Sequence, residues 1–210
     1  GAQVRSGAKF RHLISVSLEA KRASPIDVHE AQVTKWLLQP AKHLAAMPPA
    51  IGSRYEHGMS LFALKLMFFE PHGQYLTGKD SNRRAGEIFS RAFERFRAWL
   101  ISQRRVQEDF GTTQAHQVRD WARNGLFHSG HIKDGLLVDI RNQGKGPFYR
   151  NLVWDGWLVD PWQLLGDIQL YFAEYINALR SPSNSEQKLL LENFQRTFRR
   201  LIVAPAGAGQ

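Results

Sequence analysis

The chain is 210 residues long, with 43% hydrophobic and 11% aromatic residues, which is enough to build a core and excludes disorder along the whole length. Its 28 Lys and Arg against 19 Asp and Glu leave a formal charge of +9, spread along the chain, which suits a polyanionic partner and equally a solvated basic surface. The absence of Cys excludes disulfides, thiolate zinc sites and a cysteine nucleophile, and a cytoplasmic location is expected.

From Lys9 to Arg22 the residues Phe10, Leu13, Ile14, Val16 and Leu18 recur mostly at helical spacing, predicting a first helix that stops at Ser24-Pro25. Asp27 with Glu30 three residues on has the capping-box arrangement, opening a helix that carries Val33, Trp36 and Leu37. That helix is expected to be interrupted near Pro40 and to resume through Leu44. After the Pro48-Pro49 turn, Tyr55 to Glu70 is dense in Leu, Met and Phe and predicts a helix buried on most sides, ended by Pro71 and Gly73. Its most apolar stretch, Leu61 to Phe69, is interrupted by Lys65 and is too short to cross a bilayer, so a soluble protein without a membrane partner is expected.

Asp80 or Ser81 is expected to cap the longest helix, in which Ile88, Phe89, Phe93, Phe96 and Leu100 share one face. It is also the most basic: Arg83, Arg84, Arg91, Arg95, Arg97, Arg104 and Arg105 stand against only Glu87 and Glu94, which predicts a positive field outside the core stripe. Thr112 is expected to cap a short helix with Val118 and Trp121 that runs into Arg123-Asn124-Gly125. Leu136 to Ile140 and Phe148 to Leu158 read as strands around the turn at Asn142–Gly146, a β-hairpin at about 135–159. Asp160-Pro161 starts a helix with Leu164, Leu165, Ile168, Phe172, Tyr175 and Leu179; Ser183 with Glu186 starts the last, which ends near Val203 before a loose tail at about 204–210. With no internal repeat and no long linker, the expected class is all-α: a helical bundle forming a single domain over residues 1–210, with the hairpin inserted.

Three common chemistries are weak here. Gly73 to Lys79 approaches the phosphate-cradling loop pattern, but Asp80 stands where a hydroxyl should bind Mg²⁺, and the preceding segment reads as helix rather than strand. His128, His131 and Asp134 are spaced by three, but Gly125, Gly130 and Gly135 break the regular helix that would gather them around a metal. No Gly-x-Ser-x-Gly elbow marks a hydrolase triad.

The most informative segment is Arg123-Asn124-Gly125-Leu126-Phe127-His128. On a continuous helix, about 100° per residue would put Asn124 and His128 on one face, with Arg123 about 140° and about 7.5 Å from His128. A long Arg can bend toward the imidazole, or a second copy can supply the missing group. The segment, with flanking Trp121 and Leu126-Phe127, resembles the motif of the HEPN superfamily, in which a His follows an Arg after four to six residues and a polar residue directly follows the Arg. The resemblance extends to a motif placed late in a helical chain. It implies a helical bundle, a homodimer whose motifs share a cleft, and metal-independent endoribonuclease activity without a cofactor, in a toxin–antitoxin, stress or defence setting.

The chemistry fits these residue types, since RNA carries its own 2′-OH nucleophile and needs only proton transfer and phosphate stabilisation. An imidazole with its ordinary pKa of about 6.5 can exchange protons near neutrality, which assigns that work to His128. Arg123 can stabilise charge on phosphorus through forked donors, and Asn124 can orient His128 or bind phosphate. Arg84, Arg91, Arg95, His131 and Lys133 are the candidate contacts to the RNA backbone. Glu56 and Glu70 are candidates for the acidic partner found in some members of the family. One HEPN branch, regulated by adenylylation, carries a Tyr two positions after the His; Ser129-Gly130 stand here, so control by a protein antitoxin or other regulator would not follow that route. The alternatives are a non-catalytic HEPN-like RNA-binding module, or a helical protein-interaction domain using hairpin aromatics such as Trp154 and Trp157. A purely structural explanation also exists: Asn-Gly commonly ends helices, where Arg and His complement free carbonyls.

Overall fold

The computed structural model describes residues 23–48, 54–106, 110–123, 125, 132, 135–141, 144–151, 153 and 156–203; the helix expected over Lys9–Arg22 and the tail at 204–210 lie outside these. The described chain is mainly helical with one small sheet. Helix α1 (Pro25–Val33) begins three residues earlier than its sequence pattern implied: Ser24, not Asp27, is the N-cap, its Oγ accepting from the Asp27 N–H at 3.1 Å, while Asp27 accepts in return from the Ser24 N–H. Pro40 does not interrupt the chain's helical path. A π-helical turn at Thr34–Leu38 precedes α2 (Gln39–Ala46), and Pro40 sits in the first turn of α2, where a missing N–H costs least.

Helix α3 (Arg54–Thr77) runs through Pro71 instead of ending there. Pro71 removes the N–H that the Met67 carbonyl would accept, but both residues are exposed, so water can take that carbonyl. Gly73 keeps α3 close to its neighbour, because a Cβ there would strike the backbone carbonyl of Ile88. That neighbour, α4 (Ala85–Ser102), buries Ile88, Phe89, Phe93, Phe96 and Leu100 as its spacing predicted. It starts later than expected. The Asp80 carboxylate accepts from the Asn82 N–H at 2.8 Å and closes a turn of its own, while Arg84 takes the N-cap position without a side-chain bond.

Helix α5 (Thr112–Val118) is capped by Gly111 rather than Thr112, with the Gly111 N–H donating to Gln114 Oε1 at 3.0 Å, and it continues into a π-helical turn at Arg119–Arg123. The strands are β1 (Leu136–Val138), β2 (Phe148–Asn151) and β3 (Gly156–Val159), in the order β1-β3-β2. The two segments expected to pair with each other are therefore separated: β3 lies between them, parallel to β1 with Leu136 opposite Trp157, and antiparallel to β2 with Phe148 opposite Val159. All four residues of β3 are buried, as befits a central strand. Trp157 is only 7% exposed and packs edge-on against Phe110, so it offers no assembly surface; Trp154 lies outside the described residues.

Asp160 links sheet to helix. Its N–H extends the ladder to Pro147 O, and its carboxylate accepts from the Trp162 and Gln163 N–H groups at the start of α6 (Pro161–Arg180), as Asp160-Pro161 predicted. Asn184, not Ser183, caps α7 (Ser185–Phe198), which passes into a last π-helical turn at Arg199–Val203. One buried cluster runs from Leu38 to Phe198 through α2 to α7 and the sheet, with Ile26, Val28 and Val33 of α1 packed against it, and is rich in ring contacts such as Phe69 on Phe93 at 4.9 Å and Phe110 stacked on Phe148 at 4.8 Å. Among the described residues no helix is long and apolar enough to cross a membrane.

Candidate functional site

The basic helix α4 meets α5 along a cleft of about 460 Å³. Thr77 of α3 lines it; Glu87, Ser90, Arg91, Glu94 and Arg95 form the α4 wall, and His116 and Arg119 the α5 wall. Hydrophobic positions of α4 turn inward to the core, which leaves its 91 and 95 positions, four apart, on one outer face. On α5 and the π turn, positions 116 and 119 likewise fall on one face, looking back at α4.

The arginines are paired, but loosely. Arg84 and Arg91 share the single carboxylate of Glu87 at 3.3 and 3.0 Å, with side chains 53% and 55% exposed. Arg95 reaches across to Glu186 of α7 at 2.6 Å, and Arg119 holds the adjacent Asp120 at 3.0 Å. Exposed pairs of this kind are worth about 0–1 kcal/mol each, so a phosphate can displace the carboxylate at little cost. Arg97 is committed differently: besides Glu94 at 3.0 Å it donates to the Phe110 carbonyl at 3.1 Å and so anchors the loop before α5. Arg105 is tied to the buried Asp167 of α6, whose carboxyl is pushed up by burial and partly restored by that guanidinium.

Within the cleft the Glu94 carboxylate has one oxygen on Arg97, and its other, Oε1, lies 4.0 Å from His116 Nε2. That oxygen and the Ser90 Oγ, also in the cleft lining, are buried and make no hydrogen bond among the described residues. Gly86 leaves room for the Arg119 guanidinium, since a Cβ there would approach it to 3.0 Å. The arrangement thus offers donors of positive charge, an imidazole near a carboxylate, and polar atoms with spare bonding capacity. These are groups suited to holding a phosphodiester and moving protons around it.

Of the residues expected from sequence, Arg91 and Arg95 line this cleft and Arg84 borders it through Glu87. Arg123 ends the π turn that begins at Arg119, so its backbone lies on the same helical path as the α5 wall. Asn124, His128, His131 and Lys133 lie outside the described residues. Glu56 is exposed in the first turn of α3 and Glu70 half-buried farther along it; neither lines the cleft, where Glu94 is the carboxylate nearest an imidazole. His116, Arg119, Ser90 and Glu94 were not singled out in the sequence. The signal was present in His116-x-x-Arg119, a helical i, i+3 pair directly preceding the motif.

The approach to a phosphate loop at Gly73–Asp80 is the end of α3, where Thr77 Oγ1 donates to Gly73 O and Arg200 donates to the Gly78 and Lys79 carbonyls; those groups serve the contact with the last π-helical turn. No cluster of three metal-ligating side chains occurs among the described residues, and His128, His131 and Asp134 are outside them. Compared with known proteins, the chain matches no family model, no curated protein and no solved structure.

Proposed function

We propose that this protein is a cytoplasmic, metal-independent endoribonuclease of HEPN type, working as a homodimer on single-stranded or looped RNA. The observation that carries this reading is the α4–α5 cleft, where Arg91, Arg95 and Arg119 surround an imidazole and a carboxylate on the helical path that leads to Arg123. RNA lies across the cleft with its phosphates on these guanidiniums, and Arg84, His131 and Lys133 extend the contact. At the reacting phosphate, His128 removes the 2′-OH proton as the 2′-oxygen attacks phosphorus. Arg123 neutralises the charge that develops there, with Asn124 positioning the imidazole. The bond to the 5′-oxygen breaks and that oxygen takes up a proton, leaving a 2′,3′-cyclic phosphate and a 5′-OH. His116 beside Glu94 supplies a second imidazole for the leaving group. A second copy of the chain completes the cleft with its own motif, and a protein antitoxin or similar regulator would act by covering it.

The test is cleavage of an end-labelled single-stranded RNA in EDTA. Cutting by the wild type is expected, with a loss of at least 100-fold in His128→Ala and a smaller loss in His116→Ala, both variants still folded and still binding RNA. Salt-sensitive binding with no cutting by any form would leave a non-catalytic RNA-binding module. Absence of both would leave a helical protein-interaction domain.

A further inference from the structure

Two buried histidines have no part in that chemistry. His29 of α1 packs its ring 4.1 Å from that of Tyr75, and His72 of α3 packs between Phe68 at 4.6 Å and Tyr175 at 4.7 Å. Both help to line a cavity of about 350 Å³ between α1, its π turn and α3, with Trp36 and Met67 exposed at its rim. Its lining is predominantly apolar. Yet three of the side chains around it carry a buried nitrogen with no hydrogen-bond partner among the described residues: His29 Nε2, Gln32 Nε2 and His72 Nδ1. Leaving a buried polar group unpaired costs about 1–3 kcal/mol, and native proteins rarely tolerate it, so three around one cavity point to a missing partner.

The kind of partner follows from charge and shape. Burial pushes His29 down to about 4 and lowers His72 well below the ordinary value, so both rings are neutral at pH 7; His72 Nε2 already faces the Tyr171 hydroxyl at 3.4 Å, which leaves His72 Nδ1 and His29 Nε2, each a donor or an acceptor according to its tautomer. Gln32 adds donors from its amide. No charged side chain lines the cavity, so an ion would be buried there without compensation. Aromatic side chains of Trp36, Phe68 and Tyr75 line the cavity and favour a flat guest, and the volume exceeds the roughly 150 Å³ that accepts benzene in an engineered apolar cavity.

We propose that this cavity binds a neutral, planar heteroaromatic molecule of one or two fused rings, held by ring contacts and hydrogen-bonded to His29, Gln32 and His72. The site is separate from the α4–α5 cleft and does not depend on the nuclease reading. The probe is benzimidazole, which is neutral above pH 7 and has one donor and one acceptor. Indene, of the same ring size without nitrogen, is the control. Nuclear magnetic resonance of the full chain should show saturable shifts of the His29, His72 and Trp36 side-chain signals with benzimidazole, and at least tenfold weaker binding of indene. Met67→Trp, at an exposed rim position, should block the shifts while its thermal unfolding stays cooperative. No saturable shift in the folded wild type, equal affinity for the two probes, or undiminished binding by Met67→Trp would each overturn the proposal.

Discussion

Lys65 is 2% exposed in the middle of α3, and its side-chain nitrogen donates to the Leu61 carbonyl one turn back. Burial pushes it down to about 6, with the nearby Asp160 carboxylate partly opposing the shift. In the unfolded chain a lysine holds its proton up to its ordinary 10.5, so between pH 6 and 10.5 the unfolded state binds more protons and stability rises with pH. At pH 7 this burial therefore destabilises the fold. Lys65→Met, of similar length without the charge, should raise stability at pH 7 by on the order of a few kcal/mol and remove that part of the rise between pH 7 and 9, as denaturant melts will show. His29 behaves in the same sense at lower pH. Unfolded, it takes up a proton near 6.5; folded, only near 4, so roughly 3 kcal/mol of stability is lost as the pH falls between those values. His29→Phe should flatten that segment of the acid-unfolding curve, and an unchanged curve would show that His29 protonates without unfolding. In the sequence, Lys65 was legible only as a break in an apolar stretch; its burial depends on the sheet and on α6, which come far later in the chain.

At the scale of elements, the helices were readable but their exact caps mostly were not: Ser24, Arg84, Gly111 and Asn184 stand where Asp27, Asp80 or Ser81, Thr112 and Ser183 were expected, and the pairing between distant strands was missed as well. Asp160-Pro161 opens α6 as expected because the cap needs only its own next three residues. The expected hairpin failed because Phe148 to Leu158 was read as one strand. Asn151 Oδ1 accepts from the Val153 N–H at 2.8 Å, a side-chain turn that splits the run into β2 and β3, and Asp155-Gly156 in the sequence marked the same place. Pro71 was read as a helix end for want of knowing that its face is solvated. Pro71→Ala should restore a donor to the Met67 carbonyl and stabilise the protein by roughly 1–3 kcal/mol; a lower melting temperature would show that Pro71 is required by packing instead. The predicted excess of Arg is largely not on α4 itself: the helix holds Arg91, Arg95 and Arg97 against Glu87 and Glu94, while Arg83, Arg84, Arg104 and Arg105 flank its ends, and Glu186 and Asp167 from other helices pair Arg95 and Arg105. Charge reversal at Arg91 and Arg119 together should weaken RNA binding at every sequence and lower the slope of log affinity on log salt by about 2; an unchanged slope would put RNA elsewhere.

Over the whole molecule, the proposed function draws on the +9 charge, the mainly helical build and the placement of Arg123 at the end of the α5 path; in that proposal a basic surface holds RNA while a small set of side chains moves two protons. The helical class was legible because apolar spacing along each segment fixes it locally. The cleft was only half legible, since Arg91 and Arg95 declare themselves on a basic helix while His116 and Glu94 acquire meaning from the packing of α5 on α4. The account requires the RNA itself to provide the nucleophile. The most direct measurement is therefore cleavage in EDTA of two matched RNA strands, one carrying a single 2′-deoxy residue on the 5′ side of the cut phosphate. The account predicts that the all-ribose strand is cut to a 2′,3′-cyclic phosphate while the substituted strand is bound equally well and left intact at that position; equal cutting of both strands there would contradict it.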